Sequence, residues 1–298
     1  MKFAFMKYNQ MEDYKRRYDK ISVTEEVLHK QAKAEESIRN EFHSRLLEPF
    51  ARACREYQLI SEGDRIAVCI SGGKDSMLMA KLFQELQKHK KVDFGLVFLA
   101  MDPGYNKENR ELIESNAGSL GIPLSFFESD IFDEVNKTSK GHCYICARMR
   151  RGHLYSEAKK LGCNKIALGH HYDDVIETIL MGMLYGGQIQ TMMPKLRSRN
   201  YEGMELIRPM YFIREEDICG WQDFNELKFL RCACRITDDA EDSGKTSKRL
   251  EIKKLIASLK QTNPSVEANI FSSIENIDLK SVIAYKEDGK KKSFLDNY

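Results

Sequence analysis

Residues 65–76 read Arg-Ile-Ala-Val-Cys-Ile-Ser-Gly-Gly-Lys-Asp-Ser, and this stretch decides the fold. Its first half, residues 65–70, is a short apolar run rich in β-branched side chains, which predicts a buried strand. After the two glycines, residues 77–87 form an amphipathic stretch that predicts a helix. The unit is therefore a strand, a glycine turn and a helix.

The same alternation of strand and helix recurs further along the chain. Apolar runs predict three more strands at 93–101, 123–127 and 165–168, and amphipathic patterns predict helices at 108–120, 147–161 and 174–185. Strands that alternate with helices favour parallel pairing with right-handed crossovers. Continuously apolar strands suit a sheet that is covered on both faces. We therefore expect an α/β fold built on a doubly wound parallel sheet.

The sequence patterns on either side of this alternation divide the chain into three predicted parts. Residues 1–60 are interpreted as an N-terminal helical extension, residues 61–235 as the nucleotide-binding catalytic domain, and residues 236–298 as a C-terminal helical segment with a basic tail. The extension contains Pro49, so either two helices meet there or one helix kinks.

Weaker patterns follow the main alternation. They predict a last strand at 204–209, helices at 215–228 and 248–259, and a mobile tail at Lys290-Lys291-Lys292.

Composition excludes several classes of protein. The 298 residues are 42% hydrophobic and 31% charged, as in globular proteins, and the net charge of +2 gives no overall attraction to nucleic acid. The start of the chain does not resemble a signal peptide, and the longest apolar run, 94–101, is too short to cross a membrane. Eight cysteines are too few for a disulfide scaffold. We expect a cytoplasmic protein without membrane association.

The glycine turn has the features of a phosphate-binding loop. Its glycines let backbone N–H groups approach a ligand, the following helix contributes a positive dipole end, and Lys74 adds a full charge. The turn is neither a Walker A loop nor a G-x-G-x-x-G fingerprint. An ordinary strand-to-helix turn capped by Ser71 is the alternative. The coincidence of cap, glycine pair, lysine and acid favours a cradle for phosphate or pyrophosphate.

A second polar turn, Gly169-His170-His171-Tyr172-Asp173-Asp174, follows the strand predicted at 165–168. Ligands of open α/β sheets gather at the carboxyl ends of the strands, so this turn and the glycine turn can face one crevice. Its imidazoles and carboxylates could hold a nucleotide, bind Mg²⁺ or transfer protons. The alternatives are a helix N-cap for Asp174 and a packed turn for the histidine pair.

Paired cysteines form the third motif, Cys143-x-x-Cys146 with Cys232-x-Cys234 much later. A Cys₄ zinc site, a redox disulfide of the first pair, and an iron–sulfur site on Cys143, Cys146 and one later cysteine all fit the spacing, which by itself favours zinc. The remaining cysteines lie in apolar patterns and are interpreted as buried small hydrophobes: Cys54, Cys69, Cys163 and Cys219.

Basic residues cluster beside the first cysteine pair and again around residues 186–200, a segment without acidic residues. Such clusters attract phosphate backbones, although a charge run is often only a solvated helix face. Their position beside the other motifs favours RNA. The residues that we expect to contact it are Arg148, Arg150, Arg151, Lys195 and Arg197.

These motifs together resemble one known family. Residues 71–76 resemble the PP-loop of ATP pyrophosphatases. The whole set resembles the tRNA 2-thiocytidine synthetase family from about residue 39 to residue 259: Cys143-x-x-Cys146-Ala-Arg-Met-Arg-Arg-Gly, Ala-Leu-Gly-His-His-x-Asp-Asp at 167–174, Tyr-Gly-Gly at 185–187, Pro-Lys-Leu at 194–196 and Ile-Arg-Pro at 207–209. The resemblance implies an adenine nucleotide α-hydrolase-like fold.

The resemblance also implies a reaction. Members of the family bind ATP and Mg²⁺, attach AMP to the C2 oxygen of cytidine 32 in tRNA, and replace that oxygen with sulfur. Lys74, Asp75 and Asp174 are then expected to be catalytic. The nucleotide is expected to contact Ser71, Gly72, Gly73, Lys74, Asp75, Ser76, Met101, Asp102, Gly169, His170 and His171.

Members of the family carry an oxygen-sensitive [4Fe–4S] cluster on three cysteines, whose unliganded iron can hold a hydrosulfide. Here they correspond to Cys143, Cys146 and Cys232, although Arg231 replaces the proline that usually precedes the third ligand. The resemblance further implies a homodimer and a sulfur donor system, for which we expect a cysteine desulfurase.

Two rival hypotheses stay open. One is a PP-loop enzyme that joins another nucleophile, or thiolates another pyrimidine, and has a structural zinc site. The other is a zinc-stabilised RNA-binding protein with a vestigial nucleotide site, which the intact Lys74-Asp75-Ser76 disfavours.

Overall fold

The computed structural model describes residues 25–129, 142–230 and 247–297, with no side-chain description for 142–147 and 297. Contacts divide the chain into two compact units, Met1–Asp173 with Met193–Gly244, and Asp174–Met192 with Lys245–Tyr298. The division of the chain at residues 60 and 235 stays a prediction. Within the described ranges, no helix is both long and apolar enough to span a membrane.

A six-stranded sheet organises the first unit. Its strands are β1 (Asp64–Ile70), β2 (Phe94–Asp102), β3 (Leu124–Glu128), β4 (Lys165–Ala167), β5 (Lys195–Arg197) and β6 (Glu205–Ile207). They lie in the order β3-β2-β1-β4-β6-β5. All neighbours pair in parallel except β5 and β6, so β5 adds an antiparallel edge that sequence patterns did not predict. The predicted α/β fold with a mostly parallel sheet is confirmed.

Helices alternate with these strands along the chain and begin with the predicted N-terminal extension, of which the structure describes residues from Glu25 onward. The helices are α1 (Glu25–Arg39), α2 (Glu48–Glu56), α3 (Lys74–Lys88), α4 (Lys107–Ser119), α5 (His142–Lys160), α6 (Tyr172–Gly186) and α7 (Glu215–Phe224). Pro49 lies in the first turn of α2, directly after a π-helical turn at His43–Leu47. Two helical segments therefore meet near the proline, which is tolerated in a first helical turn.

Three of the four remaining cysteines are buried, as predicted. Cys54, Cys69 and Cys163 are buried thiols, and the last two belong to an apolar cluster that also contains Tyr155 and Ile166. Burial raises the pKa of Cys54 to about 12 and also raises that of Cys69, so both stay protonated at neutral pH. The prediction was wrong for Cys219, which is only half-buried.

The second unit contains most of α6, followed by α8 (Lys248–Thr262), α9 (Val266–Ser272), and the hairpin of β7 (Ala284–Glu287) and β8 (Lys290–Ser293). The predicted mobile tail at Lys290-Lys291-Lys292 was wrong, because these residues form β8 and pair antiparallel with β7. The turn residues Asp288 and Gly289 have φ of +49° and +77°. Positive φ at both positions is what a tight hairpin turn requires.

Candidate active site

The glycine turn after β1 is a tightly closed loop. Gly72 has φ of +86°, and a Cβ added there would lie 2.6 Å from Cγ1 of Ile113, so only glycine fits. The Ser71 backbone N–H donates to Ser76 Oγ at 3.1 Å, and that hydroxyl donates to the Gly73 carbonyl at 2.9 Å. The loop thus ends at Gly73, the N-cap of α3, where unpaired N–H groups of the first helical turn favour an anion.

The strand order brings the two polar turns together. β1 and β4 are neighbours although a long stretch of chain separates them, and the order of the strands reverses between them. A Cβ added at Gly169, which follows β4, would lie 3.3 Å from the Asp75 carbonyl carbon. The backbone of the second turn therefore packs against the start of α3, at the point where doubly wound sheets bind ligands.

Five residues form a closed chain of polar contacts, which we call the Lys74 ring. The Lys74 ammonium lies 3.1 Å from Asp75 Oδ1 and 3.2 Å from Glu215 Oε1. The Glu215 backbone N–H donates to Asp173 Oδ2 at 2.7 Å. His171 completes the ring, with Nδ1 3.7 Å from Asp173 Oδ2 and Nε2 4.0 Å from Asp75 Oδ1.

The Lys74 ring combines partial burial with charge. The side chains of Lys74, Asp75 and Glu215 are 21%, 32% and 27% exposed. Burial lowers the pKa of Lys74, but the two carboxylates outweigh it, and the pKa lies above the ordinary value. Lys74 therefore carries a full positive charge at neutral pH, as a phosphate-binding lysine must.

Sequence reasoning did not select Arg214 or Glu215, and it treated Asp173 only as one of the carboxylates of the second polar turn. Asp173 accepts from Glu215 and also lies 3.2 Å from Arg214 Nη2, whose guanidinium stacks over the Tyr172 ring at 4.8 Å. A signal existed, because three acidic residues at 215–217 open the first helix after the last parallel strand. Acidic residues at a helix N-terminus are also common for purely local reasons, so the pattern alone was ambiguous.

A cleft of about 640 Å³ borders the loop. Cys219 lies in its wall, together with Lys74 and Asp75 and the residues just before the undescribed segment 231–246. The Leu230 backbone N–H donates to the Gly72 carbonyl at 3.3 Å, which ties this stretch of chain to the glycine loop. Asn116 on α4 holds the same stretch through its Nδ2, which donates to the Lys228 carbonyl at 2.9 Å.

Met101 and Asp102 end β2 and are both buried. Asp102 Oδ1 accepts from the backbone N–H groups of Gly104 and Tyr105, at 2.9 and 2.8 Å, and Oδ2 lies 2.6 Å from Arg110 Nη1. The carboxylate of Asp102 therefore stabilises the turn after β2. Because its oxygens are already used, the groups left for a ligand in this region are the backbone and Met101.

Asp174 belongs to the second compact unit. Its Oδ1 lies 2.7 Å from Arg249 Nη1, and Arg249 Nε lies 3.4 Å from Glu177 Oε2. The first turns of α6 and α8 are therefore joined through one guanidinium.

The side chains of the predicted cysteine ligands are outside the described residues. Cys143 and Cys146 fall in the first turns of α5, where three-residue spacing puts both positions on one side of a helix, and their side chains are outside the described residues. Cys232 and Cys234 also lie outside them. Among the side chains that are described, no group of three or more metal-binding residues comes together.

The predicted RNA-binding residues differ in solvent exposure and in their ion pairs. Arg148 and Arg151 are exposed on α5, whereas Arg150 is half-buried. Arg197 is 93% exposed, but Lys195 lies 3.3 Å from Glu205 and donates to the Gln58 carbonyl at 2.9 Å. The segment 186–200 lacks acids of its own, and Glu205 on the adjacent strand β6 supplies one.

Comparison with known proteins defines the class first. Residues 38–235, about two thirds of the chain, match the PP-loop domain family. The chain also resembles the solved structure of the U34-tRNA thiolase NcsA from Methanococcus maripaludis with its [4Fe–4S] cluster, with a TM-score of 0.60, 20% identity, and coverage of 79% of this chain and 82% of that one. At this identity the likeness supports the fold alone.

Curated relatives then define the family. A tRNA-cytidine(32) 2-sulfurtransferase from Anaeromyxobacter dehalogenans (strain 2CP-C) is 36% identical over 236 residues, 78% of this chain and 79% of the relative. The protein of that name from Geobacter sulfurreducens is 33% identical over 245 residues, 81% and 93% of the two chains. The chain belongs to the tRNA-cytidine(32) 2-sulfurtransferase family of PP-loop enzymes, and the resemblance seen in the sequence is confirmed.

Proposed function

We propose that the protein uses ATP to replace the C2 oxygen of cytidine 32 in tRNA with sulfur. The observation that carries the proposal is the bond from Leu230 to the glycine loop, because it ties the chain just before Cys232 to the proposed phosphate site. We propose that an ATP-binding loop and a sulfur-handling cysteine act together here, which a simple ATPase would not need.

The loop would bind the β- and γ-phosphates of ATP. Backbone N–H groups at the start of α3 and the Lys74 ammonium would stabilise their charge, and the α-phosphorus would face the base. Met101 and Asp102 would border the adenosine, with Gly169, His170 and His171 on the opposite side. Carboxylates are suitable Mg²⁺ ligands, and Asp75 would supply one at the loop. The catalytic role expected for Asp174 rests on the sequence motif.

The first chemical step would be adenylyl transfer. The C2 oxygen of the cytosine would attack the α-phosphorus, forming an oxygen–phosphorus bond while pyrophosphate leaves. A carbonyl oxygen is a poor leaving group, and attached AMP turns it into a good one. In the second step a sulfur nucleophile would bond to C2, and AMP would depart with the original oxygen.

Three thiolates at Cys143, Cys146 and Cys232 would suit a [4Fe–4S] cluster. The first two positions are one helical turn apart on α5. Cys232 follows Leu230 by two positions in the sequence, and Leu230 is bonded to the glycine loop. When bound, the cluster would supply one iron without a protein thiolate, open to an external ligand.

Substrate binding would use the exposed arginines of α5 and β5. Arg148, Arg151 and Arg197 are exposed and would contact RNA phosphates, and Arg150 and Lys195 would add positive charge. We further propose a cytoplasmic homodimer supplied with sulfur by a cysteine desulfurase, since the family resemblance implies both partners.

Anaerobic purification tests the cluster and the chemistry that depends on it. The proposal predicts a brown protein with bound iron, broad visible absorbance that bleaches in air, and loss of that absorbance in Cys232→Ser. A colourless protein that holds zinc with the same cysteines would instead support a PP-loop ligase with a structural metal site. Cys219→Ser is the matched control and should keep the iron.

A further inference from the structure

Glu215 is the contact that connects Lys74 to a distant part of the chain. Asp75 is the sequence neighbour of Lys74, so their ion pair is local. Glu215 lies 141 positions away and is the first residue of α7. Its backbone N–H donates to Asp173 Oδ2, while Arg214 lies against the other oxygen of the same carboxylate. These bonds fix the start of α7, and with it the Glu215 side chain.

Two carboxylates oppose the positive charge that Lys74 offers to phosphate. A lysine ammonium has three N–H donors, and two carboxylate oxygens lie 3.1 and 3.2 Å from it. All three side chains are partly buried, so water screens these interactions less than at the surface. An anion in the loop therefore competes with Glu215 for the ammonium of Lys74.

We propose that Glu215 is a positioning residue that limits the hold of Lys74 on phosphate, so that pyrophosphate leaves the loop after adenylyl transfer. The inference rests on the proposed function, because it assumes that the loop binds ATP. While phosphate occupies the loop, Lys74 is shared. Once pyrophosphate departs, the ammonium returns fully to Glu215, which the backbone bond to Asp173 keeps within reach.

The test is the affinity of the full-length protein, purified anaerobically, for inorganic pyrophosphate measured by titration calorimetry. Glu215→Gln removes the opposing charge and keeps the size and the backbone bond of the residue. We expect pyrophosphate to bind at least about ten-fold more tightly, the scale of coupling between close charges. Structural damage would weaken binding, so a gain in affinity separates the two explanations.

Two controls locate the effect at Lys74. Glu216→Gln removes the same charge one residue later on the same helical turn, where the side chain is exposed, and should leave the affinity within about two-fold. In a Lys74→Gln background, Glu215→Gln should lose its effect, since the ammonium on which it acts is absent. Equal tightening in both backgrounds would overturn the proposal.

The remaining outcomes separate the inference from the function. Wild-type protein that binds neither ATP nor pyrophosphate would overturn both. Normal binding that Glu215→Gln leaves unchanged or weakens would overturn the role of Glu215 alone. If Glu215→Gln fails to fold, Glu215→Asp withdraws the carboxylate by one methylene and should tighten binding about three-fold, and no tightening there would overturn the proposal equally.

Discussion

Two of the lysines on helix α3 lie in opposite surroundings. Lys74 is its first residue, is partly exposed, and faces two carboxylates beside the cleft. Lys81, two turns later, is completely buried, and its three donors meet Glu35, Gln84 and the Leu120 carbonyl at 2.7, 2.7 and 2.8 Å. The donors of the buried lysine are all used by the fold, while the partly exposed Lys74 borders the cleft, where a ligand can compete for its ammonium.

The buried lysine belongs to what we call the Glu35 cluster. Glu35 on α1 binds Lys81 and also Lys88, and Glu85 binds Lys88 and Arg39. These pairs attach the N-terminal helix α1 to the helix that carries the glycine loop. Lys74 and Lys81 are the same type of residue on the same helix. The groups around each ammonium therefore determine whether the lysine serves the fold or a ligand.

The largest expected effect follows from changing the exposed lysine. Lys74→Ala should lower tRNA-dependent pyrophosphate release by at least about 100-fold, because a charge that stabilises the leaving phosphates is lost. Thermal unfolding and tRNA binding should stay close to wild type. Lys107→Ala, an 88% exposed lysine on α4, is the control and should be fully active. Lost tRNA binding with normal turnover would break the assignment.

Changing the buried lysine should act on stability. Lys81→Met keeps the length of the side chain but leaves the carboxylate of Glu35 without its buried partner, so the free energy of unfolding should fall by about 3–5 kcal/mol. Urea denaturation measures this loss. Pyrophosphate release per folded molecule should be retained. A variant of normal stability with impaired catalysis would mean that the two lysines have been wrongly distinguished.

The next largest effect is expected when acid protonates Glu35 and weakens the Glu35 cluster. Burial alone would raise the pKa of Glu35, but the bonds from Lys81 and Lys88 outweigh it and lower the pKa to about 2, from an ordinary 4.5. A lowered pKa stabilises the fold above the ordinary value, and that stability is lost as the pH falls from 4.5 towards 2.

Denaturation midpoints measured across this range test the acid effect. Glu35→Gln should be less stable than wild type at neutral pH, by less than Lys81→Met, and its stability should depend less on acid. Identical pH profiles for wild type and Glu35→Gln would show that Glu35 is not held as the structure indicates.

The smallest effect is expected where an ion pair has no buried partner. Lys30 lies 2.6 Å from Glu26 on the exposed side of α1, and the two side chains are 55% and 75% exposed. Lys30→Ala should leave the free energy of unfolding within the error of the measurement, because water and entropy offset the attraction. Urea denaturation gives the value, and a loss as large as that of Lys81→Met would contradict the role assigned to burial.

Local patterns predicted most of the fold. The strands and helices around the glycine loop follow from runs of apolar residues, and the loop is contiguous in sequence. Burial patterns did not reveal β5, because this three-residue edge strand is half-buried or exposed at every position. The hairpin at β8 did have a signal, the Asp288-Gly289 pair, which the neighbouring lysines outweighed in our interpretation.

The site was only partly predictable for a different reason. Ser71 to Ser76 and His171 stand in recognisable motifs, whereas Glu215 reaches Lys74 across 141 positions through the packing of α7. The same applies to Glu205, which faces Lys195 only because their strands pair. Contacts of this kind depend on the tertiary structure, and no spacing in a single sequence encodes them.

Nucleoside mass spectrometry of tRNA tests the central claim most directly. Cells that lack the protein should contain no 2-thiocytidine at position 32, wild-type protein should restore it, and the Lys74→Ala and Cys232→Ser variants should not. Unchanged 2-thiocytidine in the deficient cells, or the loss of a different modified base, would contradict the account.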